Sequence, residues 1–472
     1  MRLGYLGVIV GLLAGASLSP AQTLPAPQGE LPAPTPGPAA PGTAPPTGAT
    51  APAPAGQAAP GVPGFYCPPP PPVELPAEGG EGGEGCTPAN AFDACDPSPC
   101  SKCRVGYVEL EYLLWTIQNP LAPDRPLLTT SPSTSRGIPG MPGTVNVVSE
   151  PDLVPEAFAG FHGRAGLFID WVWFPGIEVG GFFLGKRHTQ TGIGSDVTGT
   201  PLLARPFFDT TANVPASRVL AQPGVFVGQF LAEDNFDMWG VDASSVICLY
   251  EEQLYGRRFT ADLLVGYRYL NIDEGLKISD LSAPLGGGLA VFAGNSVPAG
   301  AVTAVTDRFD TRNQYHGGAL GLRLEYECGR FSFEAIGRFS LGVNHQTINA
   351  FGFTSGPAAG GAPVVVTSGG LLATAATAGS RTNNEFAYMP EGELKINYEF
   401  YDGISVSLGY SCLFLNRTLR PGTAIPLGVN PALVPTNPAF ASPTAQPIAP
   451  VDLFRQMEFF AGGLSVGLSF RF

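Results

Sequence analysis

Two groups of residues in this 472-residue chain have the types that could do chemistry: its cysteines, and charged side chains set at alternate positions in otherwise apolar runs. Five of the eight cysteines (Cys67, Cys86, Cys95, Cys100 and Cys103) precede the aromatic-rich part of the chain, while Cys248, Cys328 and Cys412 lie within it. Cys100-Ser-Lys-Cys103 has CxxC spacing, but no second CxxC and no nearby histidine complete a metal or redox set. In an exported chain such clustering favours one or two disulfides bracing a short cap, with the connectivity left open by the sequence. The histidines His162, His188, His316 and His345 are scattered, and no zincin spacing, nucleophile elbow or phosphate-binding loop appears. They read as surface or interface residues, with His316 on an outward parity near the outer interface. The sequence therefore predicts no catalytic residue, no metal and no cofactor, and a protein that is not an enzyme.

The second group is Glu109, Glu111, Asp170, Glu178, Asp262, Arg268, Arg323, Glu325, Glu334, Arg338, Glu393, Lys395, Glu399 and Arg471. The elements that must position them are β-strands, because their neighbours alternate with period two. Leu464, Val466, Leu468, Phe470 and Phe472 share one face, opposite Ser465, Gly467, Ser469 and Arg471. Phe259, Ala261, Leu263, Val265, Tyr267 and Tyr269 likewise oppose Thr260, Asp262, Gly266 and Arg268. The polar faces carry full charges strand after strand, and the apolar faces place aromatics near their ends. Lipid outside and a polar lumen inside account for both. The composition agrees: 44% apolar but only 14% charged residues is unusual for a soluble surface.

Ten strands are predicted, at about 104–116, 162–174, 176–187, 236–250, 257–275, 309–327, 329–346, 384–401, 403–417 and 455–472. Short connections follow the second, fourth, sixth and eighth strands, and long ones follow the odd-numbered strands. That rhythm predicts an all-β, antiparallel up-and-down transmembrane barrel with both termini in the periplasm. Its expected lining charges, Glu109, Glu111, Asp170, Asp262, Arg268, Arg323, Glu334, Arg338, Lys395 and Glu399, have two readings. They line a pore, or they pair into a plug, since small barrels are filled by side chains. Residues 104–472 hold 23 Lys/Arg against 32 Asp/Glu, so a pore would prefer cations, and the lack of a basic patch excludes nucleic acid.

Turn chemistry fixes an expected register. A two-residue turn at Cys328-Gly329 sets Tyr326 opposite Phe331 and Arg323 opposite Glu334, an ion pair inside the barrel. A three-residue loop at Tyr401-Asp402-Gly403 sets Phe400 opposite Ile404, with Gly403 in the left-handed conformation. Val108, Leu110, Tyr112 and Leu114 offer the last strand a matching apolar face for closure.

Before the barrel, residues 1–21 read as a signal peptide: Arg2, an apolar run and the small residues of Ser19-Pro20-Ala21. Residues 22–85, rich in Pro, Ala and Gly, read as a disordered linker, and 86–103 as the cysteine-bearing cap. The expected location is the bacterial outer membrane. The expected partners are its lipid, the barrel assembly machinery (through Leu468, Phe470 and Phe472) and the cell wall (through the linker).

The chain also resembles the planctomycete-type outer-membrane β-barrel family described as a β-barrel porin. The resemblance is carried by Glu111-Tyr112-Leu113-Leu114-Trp115, Pro126-Leu127-Leu128-Thr129-Thr130, Arg164-Ala165-Gly166 and the run from Gly266 to Glu274. Asn313-Gln314-Tyr315-His316-Gly317-Gly318 and Gly467-Leu468-Ser469-Phe470-Arg471-Phe472 complete it. It implies an outer-membrane location and passage of small solutes or ions, and supplies no catalytic residues. The rival reading is a closed structural or surface-interaction barrel carrying a periplasmic Pro-rich spacer.

Overall fold

The computed structural model describes residues 106–118, 126–149, 157–168, 176–254, 256–286, 290–357, 364–441 and 452–472. The expected signal peptide, linker and cap, and Asp170, lie outside the described residues. In chain order the strands are β1 (Gly106–Gln118), β2 (Pro126–Thr130), β3 (Val145–Ser149), β4 (Phe158–Leu167), β5 (Ile177–Gly194) and β6 (Leu203–Asp209). Then come β7 (Val214–Ala221), β8 (Phe226–Leu254), β9 (Arg257–Pro284), β10 (Val291–Phe292), β11 (Asn295–Ser296) and β12 (Thr303–Cys328). The last are β13 (Phe331–Gly356), β14 (Val365–Ser368), β15 (Gly379–Tyr401), β16 (Ile404–Leu419) and β17 (Gln456–Arg471). A four-residue helix, α1 (Pro421–Ala424), lies between β16 and β17.

The ten long strands β1, β4, β5, β8, β9, β12, β13, β15, β16 and β17 pair antiparallel with their neighbours in chain order. The ring closes between β1 and β17, where Val108 faces Phe470, Leu110 faces Leu468 and Leu114 faces Leu464. Closure removes the unpaired strand edges that an open sheet would expose. The predicted ten-stranded barrel and its closing apolar face are both present. The hairpin connections β8–β9, β12–β13 and β15–β16 lie with Gly106 and Phe472 at one end, the turn end. The long connections gather at the other, the loop end.

Most ring strands run further toward the loop end than period-two alternation predicted: β8 begins at Phe226 rather than 236, and β9 continues to Pro284 rather than 275. The reason lies on the outer face. Apolar outward residues run from Phe259 to Tyr269 on β9 and from Phe331 to Val343 on β13, a band about 25 Å tall once strand tilt is included. Lys186, Asp237, Asp273, Arg312 and Asn384 then take over. Above the lipid the outer face is polar, so the alternation fades although strand pairing continues. Aromatics mark the boundary: Trp239 against Tyr269 at 5.0 Å, and Tyr269 against His316 at 4.8 Å between ring centroids. His316 thus lies on the outward face, as its parity requires, at the loop-end edge of the apolar band.

Two turns correct the expected register. Cys328 pairs with Phe331, so the two-residue loop is Gly329-Arg330, with Gly329 at φ 61°. This shift of two keeps every face but sets Arg323 opposite Ile336 and Glu325 opposite Glu334, so the expected Arg323–Glu334 pair is not formed. The glycine takes the first loop position rather than the second, because the left-handed conformation is needed there. At the β15–β16 turn Tyr401 faces Ile404, with an irregularity between Glu399 and Tyr401. Beyond that irregularity Glu399 faces Ser405 and Tyr398 faces Val406, as the expected register requires, and Gly403 has φ 74°.

The loop end is built rather than trailing. β3, β2, β6 and β7 form a separate four-stranded sheet. Its Leu127, Leu128, Leu203 and Leu220 pack with Phe230, Ile278, Val305 and Phe309 of the barrel wall and with Leu371, Ile425 and Val434 of other loops.

Candidate functional site: the layered lumen

The inward positions of the ring strands define the lumen, and their chemistry changes in layers along it. Strand β9 shows the sequence: Thr260 and Asp262, then Leu264, Arg268, Leu270 and Ile272, Glu274, Leu276 and Ile278, and Asp280, all buried. Inward side chains of a ten-stranded ring meet those of the opposite wall, so each layer is a contact across the lumen.

At the turn-end mouth Arg471 donates to Glu325 at 2.6 Å and Glu327 at 3.0 Å. Deeper in, Glu178 is fully buried and accepts hydrogen bonds from Tyr107, Arg323 and Arg338, the last at 2.8 Å. Arg164 reaches Glu334 at 3.1 Å and Glu109 at 3.5 Å. The Lys395 ammonium lies 3.1 Å from Glu109, 2.9 Å from Glu111 and 2.9 Å from Glu393. Arg268 pairs with Asp242 at 3.0 Å and stacks its guanidinium over Phe182 at 5.3 Å. Every cation in this cluster touches at least one carboxylate, which is the condition under which buried charge is tolerated.

Next comes an apolar layer of Leu113, Trp115, Phe158, Phe182, Phe236, Met238, Leu270, Ile272, Tyr315, Met389, Leu415 and Phe459. Above it Arg420, from the β16–β17 connection, grips Glu274 at 2.7–3.0 Å, and Asn313 holds the Leu419 backbone at 2.8 and 2.9 Å. The loop-end core follows. It is locked by Arg205, which donates to Asp280 at 2.8 Å and to Asp307 at 2.7 Å. Burial disfavours the Arg205 charge, but Asp307 and Asp280 more than offset this and raise its pKa. Asp307 also accepts the backbone N–H groups of Leu371, Leu372 and Ala373 at 3.3, 2.9 and 2.7 Å, fastening that loop across the mouth.

The predicted lining residues divide three ways. Glu109, Glu111, Asp262, Arg268, Arg323, Glu334, Arg338 and Lys395 gather in the turn-end half. Glu399 stays apart at the β15–β16 turn, where it accepts the Gly403 N–H at 2.9 Å. Asp170 lies outside the described residues. His162, expected at a surface or interface, instead points inward and contacts Glu111 at 2.7 Å, because it shares the inward parity of Arg164. Sequence reading missed Arg164, Asp242 and Glu391; parity through Gly163 and Gly240 would have found the first two. It also missed Arg205, Asp280, Asp307 and Arg420, which no alternation signals because loops bring their partners.

Among the described residues, the charged half holds small cavities. One, of about 60 Å³, is lined by Glu111, His162, Arg164, Asp242, Arg268 and Glu391 among others. Another, of about 50 Å³, lies among Tyr107, Asp262, Arg323 and Arg471. Each has room for a few water molecules.

The family "putative beta barrel porin-7" matches residues 107–472, the whole β domain. The chain belongs to that family and is a porin-like outer-membrane β-barrel. Among solved structures it is similar to the outer membrane protease OmpT from Escherichia coli, with 9% identity and a TM-score of 0.35, over 80% of this chain and 99% of that one. It is also similar to a TodX deltaS2S3 mutant monoaromatic hydrocarbon channel, with 9% identity and a TM-score of 0.19, over 78% of this chain and 91% of that one. No curated protein matches the sequence.

Proposed function

We propose that the protein is a closed outer-membrane barrel: a structural or surface-presenting element whose lumen does not conduct in this conformation. The observation that carries this reading is the stacking of an ion-paired layer, an aromatic layer and a loop-built apolar core along one lumen, whose charged layer holds cavities of about 60 and 50 Å³ among the described residues. The partners are outer-membrane lipid around the apolar band and the assembly machinery, which reads Leu468 and Phe470 on the outer face of β17 and the adjoining Phe472. In this reading the termini are periplasmic, and the Pro-rich linker is a spacer of about 200 Å at about 3.1 Å per residue, reaching toward the cell wall. No catalytic role is assigned.

A second reading, passage of small cations, is favoured by the charge balance around the cavities. Glu109, Glu111, Glu178, Asp242, Asp262, Glu334, Glu391 and Glu393 outnumber Arg164, Arg268, Arg323, Arg338 and Lys395, and acidic linings favour cations. Planar-bilayer recording separates the two. Folded protein, verified by heat-modifiable migration in detergent gels, is expected to give no stepwise conductance. Cation-selective steps from the same preparation would overturn the closed reading.

A further inference from the structure

Beyond the aromatic boundary, the outer face of β5, β8, β9, β12 and β13 is indented. One row across it runs His188, Asn235, Gly275, Asp310 and Asn349, each paired with the next. Gly275, in the middle, brings no side chain, and a Cβ there would stand 2.7 Å from the Asp310 carboxylate. It floors a groove of about 580 Å³, within the roughly 300–1,000 Å³ of small-ligand sites. The next row toward the lipid is Asp237, Asp273, Arg312 and Thr347, and Arg308 forms the opposite rim.

The rim cations are exposed and held from one side only. Arg308, 55% exposed, meets Asp310 through Nε at 2.7–3.0 Å. Arg312, 56% exposed, likewise uses Nε toward Asp273 at 2.5 Å. The carboxylates thus orient both guanidiniums, and the terminal amino groups of each have no partner among the described residues. Those terminal groups can receive a phosphate bidentately. Lys186, 83% exposed, adds an ammonium 3.2 Å from Asp237. With Arg187, four cations face the three carboxylates Asp237, Asp273 and Asp310, while Glu274 turns inward to Arg420.

Height decides what reaches this groove. Asp273 lies four residues beyond Tyr269 on the same face, about 10 Å above the apolar band once strand tilt is included. Arg308 is four residues beyond Arg312, so the rim extends to about 20 Å. The polar layer of a leaflet is only about 5–8 Å deep. A phospholipid phosphate therefore meets the long arms of Lys186 and Arg312 but not Arg308. A headgroup of phosphorylated sugar rings spans both, and Asn235, Gln314, Thr347 and Asn349 offer its hydroxyls amide and hydroxyl partners.

We propose that this groove seats the phosphorylated sugar headgroup of a membrane glycolipid whose acyl chains lie along the apolar band beneath it. The site is on the outside of the wall, so it goes beyond the closed-barrel reading and does not depend on it.

The test uses the full-length protein in detergent and native mass spectrometry. The probes are lipid A (a bis-phosphorylated disaccharide lipid), phosphatidylglycerol and inorganic phosphate. Lipid A is expected to bind at least about tenfold more tightly than phosphatidylglycerol, and the double variant Arg308→Gln, Arg312→Gln to lose at least about tenfold in lipid A affinity. Arg417→Gln, which removes an ion pair outside the groove, is expected to leave binding unchanged. Heat-modifiable migration checks that each variant folds, and Lys186→Gln supplies a second, smaller loss if the double variant does not. Equal affinity for phosphatidylglycerol, displacement of lipid A by equimolar inorganic phosphate, or unchanged lipid A binding by the folded rim variants would each overturn the proposal.

Discussion

On one face of one strand, β9 puts Asp262 and Arg268 toward the turn end and Leu276 and Ile278 toward the loop end. In the turn-end half the wall fills itself: the partners Glu178, Arg164, Arg323, Arg338 and Lys395 all come from ring strands fixed by hydrogen-bonded register. In the loop-end half the wall supplies only half of each contact, and Arg205, Leu371, Arg420 and Ile425 arrive from connections. A charge network needs fixed geometry, because its worth depends on pairing every member. An apolar core tolerates more variety in what fills it. The two halves should therefore respond differently to damage.

The largest expected effect is in the wall-built half. Glu178→Ala leaves Arg323 and Arg338 without their shared carboxylate and should destabilise the barrel by about 3–5 kcal/mol. Urea unfolding in lipid vesicles reads this out, and a change below about 1 kcal/mol would show that the network is replaceable. Lipid exposure supplies the next contrast. Val466→Arg, near the middle of the apolar band, should cost about 2–4 kcal/mol, whereas Leu427→Arg, 68% exposed on a loop, should stay within about 0.5 kcal/mol. Equal effects at the two sites would contradict the placement of the membrane.

Asp307→Ala tests the loop-built half. It removes the acceptor of three backbone N–H groups and one Arg205 bond, and the expected result is proteolytic cutting near Leu371–Ala373. Global unfolding should shift by no more than about 1–3 kcal/mol. If the whole barrel unfolds together instead, the two halves are one cooperative unit. The smallest effect is at a turn. Gly329→Ala forces an L-residue to φ 61° with open space around its Cβ, and should cost about 1 kcal/mol in the same vesicle unfolding assay. Gly329→Asn should recover most of that loss.

The wall was far more legible in the sequence than the loops. Lipid forces strict alternation on each strand, so Leu464 to Phe472 announced their face, and strand count and closure followed. Register was legible only modulo two: Glu334 was placed on the correct face but beside the wrong residue, because which glycine position the turn uses is decided by local backbone conformation. Eight of the predicted lining charges converge because parity alone determines that they point inward. Arg205 and Asp307 were invisible for the opposite reason. They lie 102 residues apart, in segments without a periodic environment, and only the folded loops bring them to 2.7 Å.

The seam where Tyr107 meets Arg471 and Leu114 meets Leu464 has a kinetic side. It joins the first and last strands of the ring, so no partial chain can complete the barrel, and closing a loop of this length costs about 5 kcal/mol of chain entropy. Until that moment both β1 and β17 present bare hydrogen-bonding edges. Ring closure must therefore come last, and a chain waiting for it depends on having its two edges kept apart from other strands.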